Sequence, residues 1–338
     1  MSLARYLLKK RSPAPIGNEV RLFHEVRRAY PGLDYADLTS EALARIVRER
    51  GIDFATALLY DRIRRSSEHG PFIREMESLE PDLAALPRLS GKVLVAPAAF
   101  YREYPEFAGD GLLVREIAAE FGLEAEVLPV RSTGSVRENA AIIRETLFAE
   151  RCGSVVLVSL SKGAADARLA LEGAGPAVRK VRVWLQIGGM PRGSPMADSL
   201  LGRRGWGKGL LHAYLAATGV RMDTLRELSH GPGSLLSAPV AVPRSVPVIN
   251  VIGFPLASHL GVGARVRHAR LAPLGPNDGT TLLRDAILEP GRVYPVWGAD
   301  HYFRAPEVSR LLYRLFLYLA RSGLLQAPPT PALSLTGE

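Results

Sequence analysis

Three residues far apart in this 338-residue chain could do chemistry together: Ser161, Asp278 and His301. A serine hydroxyl is a weak nucleophile until a base takes its proton. The base is usually a histidine, oriented by a buried carboxylate that stabilises the imidazolium. Such a set attacks a carbonyl carbon and passes through an acyl-enzyme. Ser161 lies in Val155-Val156-Leu157-Val158-Ser159-Leu160-Ser161-Lys162-Gly163, and a helical pattern follows at once in Ala164-Ala165-Asp166-Ala167-Arg168-Leu169. An apolar β-branched run that ends in small-x-Ser-x-small and opens a helix is the sequence form of a nucleophile elbow. That elbow requires an Asp or Glu and then a His further along. Leu274-Gly275-Pro276-Asn277-Asp278-Gly279-Thr280-Thr281 places Asp278 in a turn, and Val296-Trp297-Gly298-Ala299-Asp300-His301 places His301 just past a final strand.

Each residue also has a plain structural reading. Ser161 could be a small residue at a tight turn, Asp278 an Asx residue in Asn-Asp-Gly, and His301 a loop histidine. Ser159 is a rival nucleophile, but its frame would need a small residue where Leu157 stands. Ser159-Leu160-Ser161-Lys162 also spells Ser-x-x-Lys, yet that chemistry needs the serine at a helix start, and Ser159 ends a strand. Asp285 and Asp300 are the reserve carboxylates. None of His24, His69, His212, His230, His259 and His268 occupies the position after the last strand. The tetrahedral intermediate needs two backbone N–H donors. The amide of Lys162, directly after the serine, is one; the loop after the first strand offers Ala99 and Phe100 for the other.

The elements that must position these residues alternate. Lys92 to Ala96, Ala125 to Val130, Val155 to Val158, Val181 to Ile187, Val246 to Ile252 and Arg292 to Val296 read as strands. Leu112 to Phe121, Ser135 to Phe148 and Ala164 to Leu171 read as helices, and Ser135 with Glu138 forms a capping box. This alternation predicts an α/β fold with a parallel sheet covered on both faces, and ligands bind at the carboxyl ends of such strands. Residues 1–88 show helical spacing and read as an N-terminal helical extension. Residues 89–326 form the main domain, interrupted at about 190–245 by a Gly-rich insertion with the length of a lid. Residues 327–338 are Pro-, Thr- and Ser-rich and read as a disordered tail.

Composition narrows the classes. Apolar residues make up 47% and charged residues 23%, which is ordinary globular usage. No apolar run of about 18 residues exists, so no spanning helix is expected. The first residues carry no secretory signal pattern, and the single Cys152 excludes an internal disulfide; a cytoplasmic setting fits both. The net charge of +9 is spread out, without nucleic-acid signatures, so no nucleic-acid partner is expected. A basic surface would still suit peripheral contact with an anionic membrane. No metal or cofactor motif is present, so neither is expected. Nothing in the sequence speaks to oligomeric state.

With these residues in place, the chain from about 91 to 322 resembles the α/β-hydrolase superfamily, and within it bacterial lipases and lid-bearing esterases. Gly188-Gly189-Met190-Pro191-Arg192-Gly193-Ser194-Pro195-Met196-Ala197-Asp198 is similar to the segment leading those enzymes into their lid, and Gly275-Pro276-Asn277-Asp278-Gly279 to their turn bearing the acidic residue. The resemblance implies an eight-stranded, mostly parallel sheet and ester hydrolysis. Ser159 and Lys162 depart from the usual Gly-x-Ser-x-Gly surroundings, and Pro97-Ala98 replaces the usual His-Gly pair of the oxyanion loop. The leading expectation is a carboxylic ester hydrolase acting on an ester of an apolar acyl group, with the insertion supplying the acyl pocket; the small-molecule partner would be an apolar ester or, under the alternatives, a thioester. An acyltransferase or thioesterase with the same residues, and a non-catalytic binding protein that kept the fold, are the alternatives.

Overall fold

The computed structural model describes residues 17–303 and 307–325. Six strands form one sheet: β1 (Lys92–Ala96), β2 (Glu124–Val127), β3 (Val155–Leu160), β4 (Val181–Ile187), β5 (Val248–Phe254) and β6 (Arg292–Trp297). Their order is β2-β1-β3-β4-β5-β6, and every pairing is parallel. Parallel strands need crossovers, and helices supply most of them: α5 (Leu112–Glu120), α6 (Val136–Ala149), α7 (Gly163–Glu172) and α11 (Val262–Leu271, numbered in chain order). The capping box at the start of α6 is present, with Glu138 N–H donating to Ser135 Oγ (3.2 Å) and Ser135 N–H to Glu138 Oε2 (3.0 Å).

Strand residues alternate between two apolar cores, as a period of two demands. Val93, Val95, Val156, Val158, Val183 and Leu185 face one core. Leu94, Ala96, Val155, Leu157 and Trp184 face the other, against α6 and α7. The first core is closed by the N-terminal helices α1 (Gly17–Ala29), α2 (Ser40–Arg50), α3 (Ile52–Arg65) and α4 (Gly70–Ser78), together with α5 and the last helix, α12 (Glu307–Arg321). Leu58, Leu59, Ile63 and Met76 are fully buried there. The N-terminal helices therefore share the sheet's own core. Glu19 ties α1 to the sheet's far edge, accepting from His259 Nε2 (2.7 Å) and Trp297 Nε1 (3.0 Å).

Two expectations are corrected. The described sheet has six strands, not eight. From Gly17 to β1 the described chain forms helices, and between β4 and β5 it folds into short helices, so neither described segment contributes a further strand. The fifth strand starts at Val248 rather than Val246, because Pro247 has no N–H for the ladder. The remaining strand assignments shift by no more than a few residues.

The insertion between β4 and β5 contains α8 (Pro195–Leu201), α9 (Trp206–Thr218) and α10 (Met222–Glu227). Its own core is small, centred on Leu211, Leu215, Val220 and Leu225. It is fastened to the sheet's cover by buried Arg168 of α7, which donates to the carbonyls of Pro191 (3.0 Å), Leu236 (2.9 Å) and Ala238 (2.7 Å). Among the described residues no helix is long and apolar enough to cross a membrane. The C-terminal segment 327–338 lies outside the described residues.

Candidate active site

Ser161 stands between β3 and α7 with φ of +49°. That left-handed conformation is unfavourable for a residue bearing a Cβ. It arises because strand and helix cross at very short range. A Cβ on Gly163 would come 2.2 Å from the Ala96 carbonyl oxygen, and one on Gly189 would come 2.5 Å from the Ala164 Cβ. Only glycine fits at these two positions, and the turn lifts Ser161 above the sheet.

The structure brings Ser161, His301 and Asp278 together, though 140 residues separate the first two. His301, four residues past β6, has Nδ1 2.7 Å from Asp278 Oδ2. Nδ1–H donates to that carboxylate, which leaves Nε2 to accept from the Ser161 hydroxyl at 2.9 Å. The other carboxylate oxygen, Asp278 Oδ1, accepts from the amides of Thr280 (2.9 Å) and Thr281 (2.8 Å). Asn277 braces the same turn, donating to the His268 and Gly275 carbonyls and accepting from Gly279 N–H.

Electrostatics follow from this burial. Desolvation alone would push the Asp278 carboxyl up. The charge and hydrogen bond of His301, with the Thr281 and Thr280 amides, outweigh it and hold Asp278 below the usual carboxylate range. Burial likewise pushes His301 down, but Asp278 outweighs it and raises the imidazole above its ordinary 6.5. The pair is therefore an ionised carboxylate beside a histidine of increased basicity.

The competing residues sit elsewhere. Ser159 is fully buried and its Oγ accepts from Trp184 Nε1 at 2.8 Å. Asp285 is paired with His230 Nε2 (2.8 Å), and Asp300 accepts from the Tyr302 amide in the turn before it. His259 is bonded to Glu19, and His69 and His268 are buried. The Lys162 side chain turns into the protein, where Nζ meets both Asp166 oxygens at 2.7 and 2.8 Å.

Of the three amides considered as oxyanion donors, Phe100 donates to the Ser132 carbonyl at 3.2 Å. That hydrogen bond removes it from the pair. The neighbouring Ala98 amide donates to the Gly109 carbonyl at 2.8 Å. Among the described residues, neither Ala99 nor Lys162 spends its amide on another backbone carbonyl.

A cavity of about 460 Å³ opens beside Ser161 and His301, within the range of small-molecule sites. Its walls are mostly apolar: Leu113, Val114, Leu160, Ile187, Val308 and Leu312 line the interior, with Tyr104, Phe107 and Tyr302 among the ring-bearing residues around it. Phe107 and Tyr302 stack at 5.3 Å between centroids. The insertion was expected to supply this pocket. Among the described side chains of residues 190–245, Met190 alone lines it; the other described walls come chiefly from the loop after β1, α5 and α12. The insertion also packs on Phe100, another lining residue. The aromatic walls and the amides behind Asp278 escaped the linear reading. The Asx pattern Asp278-x-Thr280-Thr281 was a usable signal for the amides; the walls assemble from segments some 200 residues apart and leave none.

Among the described residues no group of three or more His, Cys, Asp or Glu side chains could hold a metal ion. No protein-family model matches the chain, and no curated protein matches it significantly. Among solved structures it is similar to the metagenomic carboxyl esterase MGS0156, at 18% identity and a TM-score of 0.52, over 94% of this chain and 98% of that one. It is also similar to the mature form of Bacillus licheniformis lipase BlEst2, at 18% identity and 0.51, over 73% and 96%. At these identities the likeness is one of fold. Together with the parallel sheet and the serine turn after β3, it identifies the chain as an α/β-hydrolase-fold protein.

Proposed function

We propose that the protein is a serine hydrolase that cleaves a carboxylic ester of an apolar acyl group. The observation that carries this reading is the unbroken line Ser161 Oγ, His301 Nε2, His301 Nδ1, Asp278 Oδ2, with contacts of 2.9 and 2.7 Å, opening onto an apolar cavity. Ser161 Oγ attacks the ester carbonyl while His301 Nε2 takes its proton. Asp278 stabilises the imidazolium and holds the tautomer. The amides of Lys162 and Ala99 receive the oxyanion. Collapse expels the alcohol, which leaves with the proton from His301, and a water molecule repeats the sequence on the acyl-enzyme. The carboxyl esterase and lipase among the similar structures support an ester as the substrate class.

The chain lengths that fit follow from the cavity. Each buried methylene stabilises the bound state by about 0.8 kcal/mol. Turnover of p-nitrophenyl esters should therefore rise from acetate through the longer acyl chains until the cavity is filled, and then fall. Ser161→Ala should lower kcat on the order of 10⁶-fold. Ester turnover that Ser161→Ala leaves unchanged would remove the assignment.

A further inference from the structure

Oxyanion catalysis works only when the donors are held in place before the reaction. The amide of Lys162 sits on the rigid elbow. The amide of Ala99 sits on an irregular loop, where mobility is the default. Something must fix the distance between them, and a buried polar chain runs from the Lys162 side chain to Phe100, the residue after Ala99.

It begins at Lys162, whose Nζ bonds both oxygens of Asp166. Asp166 Oδ2 also accepts from Asn139 Nδ2 at 2.8 Å. Asn139 grips the backbone of Arg131 at both ends: Oδ1 accepts from Arg131 N–H (3.0 Å) and Nδ2 donates to the Arg131 carbonyl (3.1 Å). The next residue, Ser132, accepts the Phe100 amide on its carbonyl (3.2 Å). Its hydroxyl accepts the Arg102 amide (3.4 Å) and donates to Glu103. Tyr101 adds a third tie, donating from its hydroxyl to the Val130 carbonyl at 2.9 Å. Lys162, Asp166, Asn139 and Ser132 are all buried. Gly134 closes the turn because a Cβ there would come 2.8 Å from Asn139 Oδ1.

Stability does not explain this choice of residues. A buried ion pair is often no more stabilising than apolar side chains of the same volume. What it supplies is one fixed geometry. We propose that Lys162 (through its side chain), Asp166 and Asn139 are positioning residues that hold the loop after β1 in register with the elbow, and so set the spacing of the two oxyanion donors. The proposal rests on the serine-hydrolase reading above. It gives the unusual lysine after Ser161 a task that a small residue there could not perform.

The test is steady-state kinetics on a p-nitrophenyl ester, with active sites counted by a fluorophosphonate. Asn139→Ala should lower kcat per titrated site by about 10- to 100-fold, less than the loss of a whole donor, and leave KM within about twofold. Affinity for a trifluoromethyl ketone, which forms an oxyanion on the serine, should fall by the same factor as kcat. If Asn139→Ala does not fold, Ser132→Ala and the double variant Lys162→Met, Asp166→Asn carry the same expectation with smaller or balanced perturbations. Variants that melt earlier but keep wild-type kcat and ketone affinity would overturn the positioning role while leaving the hydrolase reading intact. A wild-type protein that neither turns over ester nor reacts with the fluorophosphonate would overturn both.

Discussion

In the proposed site, one side of Ser161 is made of side chains and the other of backbone amides. The base side is a relay of two contacts, each anchored close by in the chain. Asp278 is held by amides two and three residues on, and His301 follows directly from β6. The oxyanion side depends on contacts that reach across elements, such as Asn139 of α6 with Asp166 of α7, 27 residues apart. A side-chain relay is fixed by residue identity. A pair of amides can be fixed only by what holds their backbones, so its supporting residues need not touch substrate at all.

The comparison predicts a ranking. Asp278→Asn strikes the base side directly. It removes the charge that stabilises the imidazolium and favours the wrong tautomer, and kcat should fall about 10⁴-fold. The amide oxygen can still accept from Thr280 and Thr281, so circular dichroism should show the fold retained. Asn139→Ala, on the other side, should cost far less. If the two losses were equal, the distinction between direct and supporting residues would fail.

The smallest effect separates the two sides most cleanly. His301 must be neutral to accept the serine proton, and burial, outweighed by Asp278 with a further contribution from Asp300 against Arg267, leaves its pKa above 6.5. Activity should therefore rise with pH along a limb centred above 6.5, as the imidazolium loses its proton. In Asp278→Asn the midpoint should move down, because the raising charge is gone and the burial remains. In Asn139→Ala it should stay where it is. A pH profile of kcat/KM for the three proteins checks this, and a shift in Asn139→Ala would show that the sides are coupled.

How much was legible beforehand follows the same division. Ser161, Asp278 and His301 could be read because each stands at a strand end marked by chemistry: a small-x-Ser-x-small turn, an Asn-Asp-Gly turn, and the last strand's exit. The parallel sheet was legible from apolar β-branched runs alternating with helical ones. The number of strands was not, since it came from resemblance, and the described chain before β1, from Gly17, folds as helices that close the sheet's own core. Phe100 reads as a candidate donor because it stands in the loop after β1. Only the packed structure shows its amide occupied by Ser132. The described cavity walls beyond Met190 lie outside the insertion for a similar reason. Sequence order placed a lid-length segment nearby, but Val308 and Leu312 of α12 and the loop after β1 reach the cavity first.

The central claim is that Ser161 is a nucleophile activated by His301. A fluorophosphonate probe measures this directly, since it forms a covalent bond only with an activated serine. Mass spectrometry of the wild-type protein should find one adduct, on the peptide containing Ser161, and none in Ser161→Ala. An adduct of equal extent in Ser161→Ala, or one mapping to Ser159, would contradict the account.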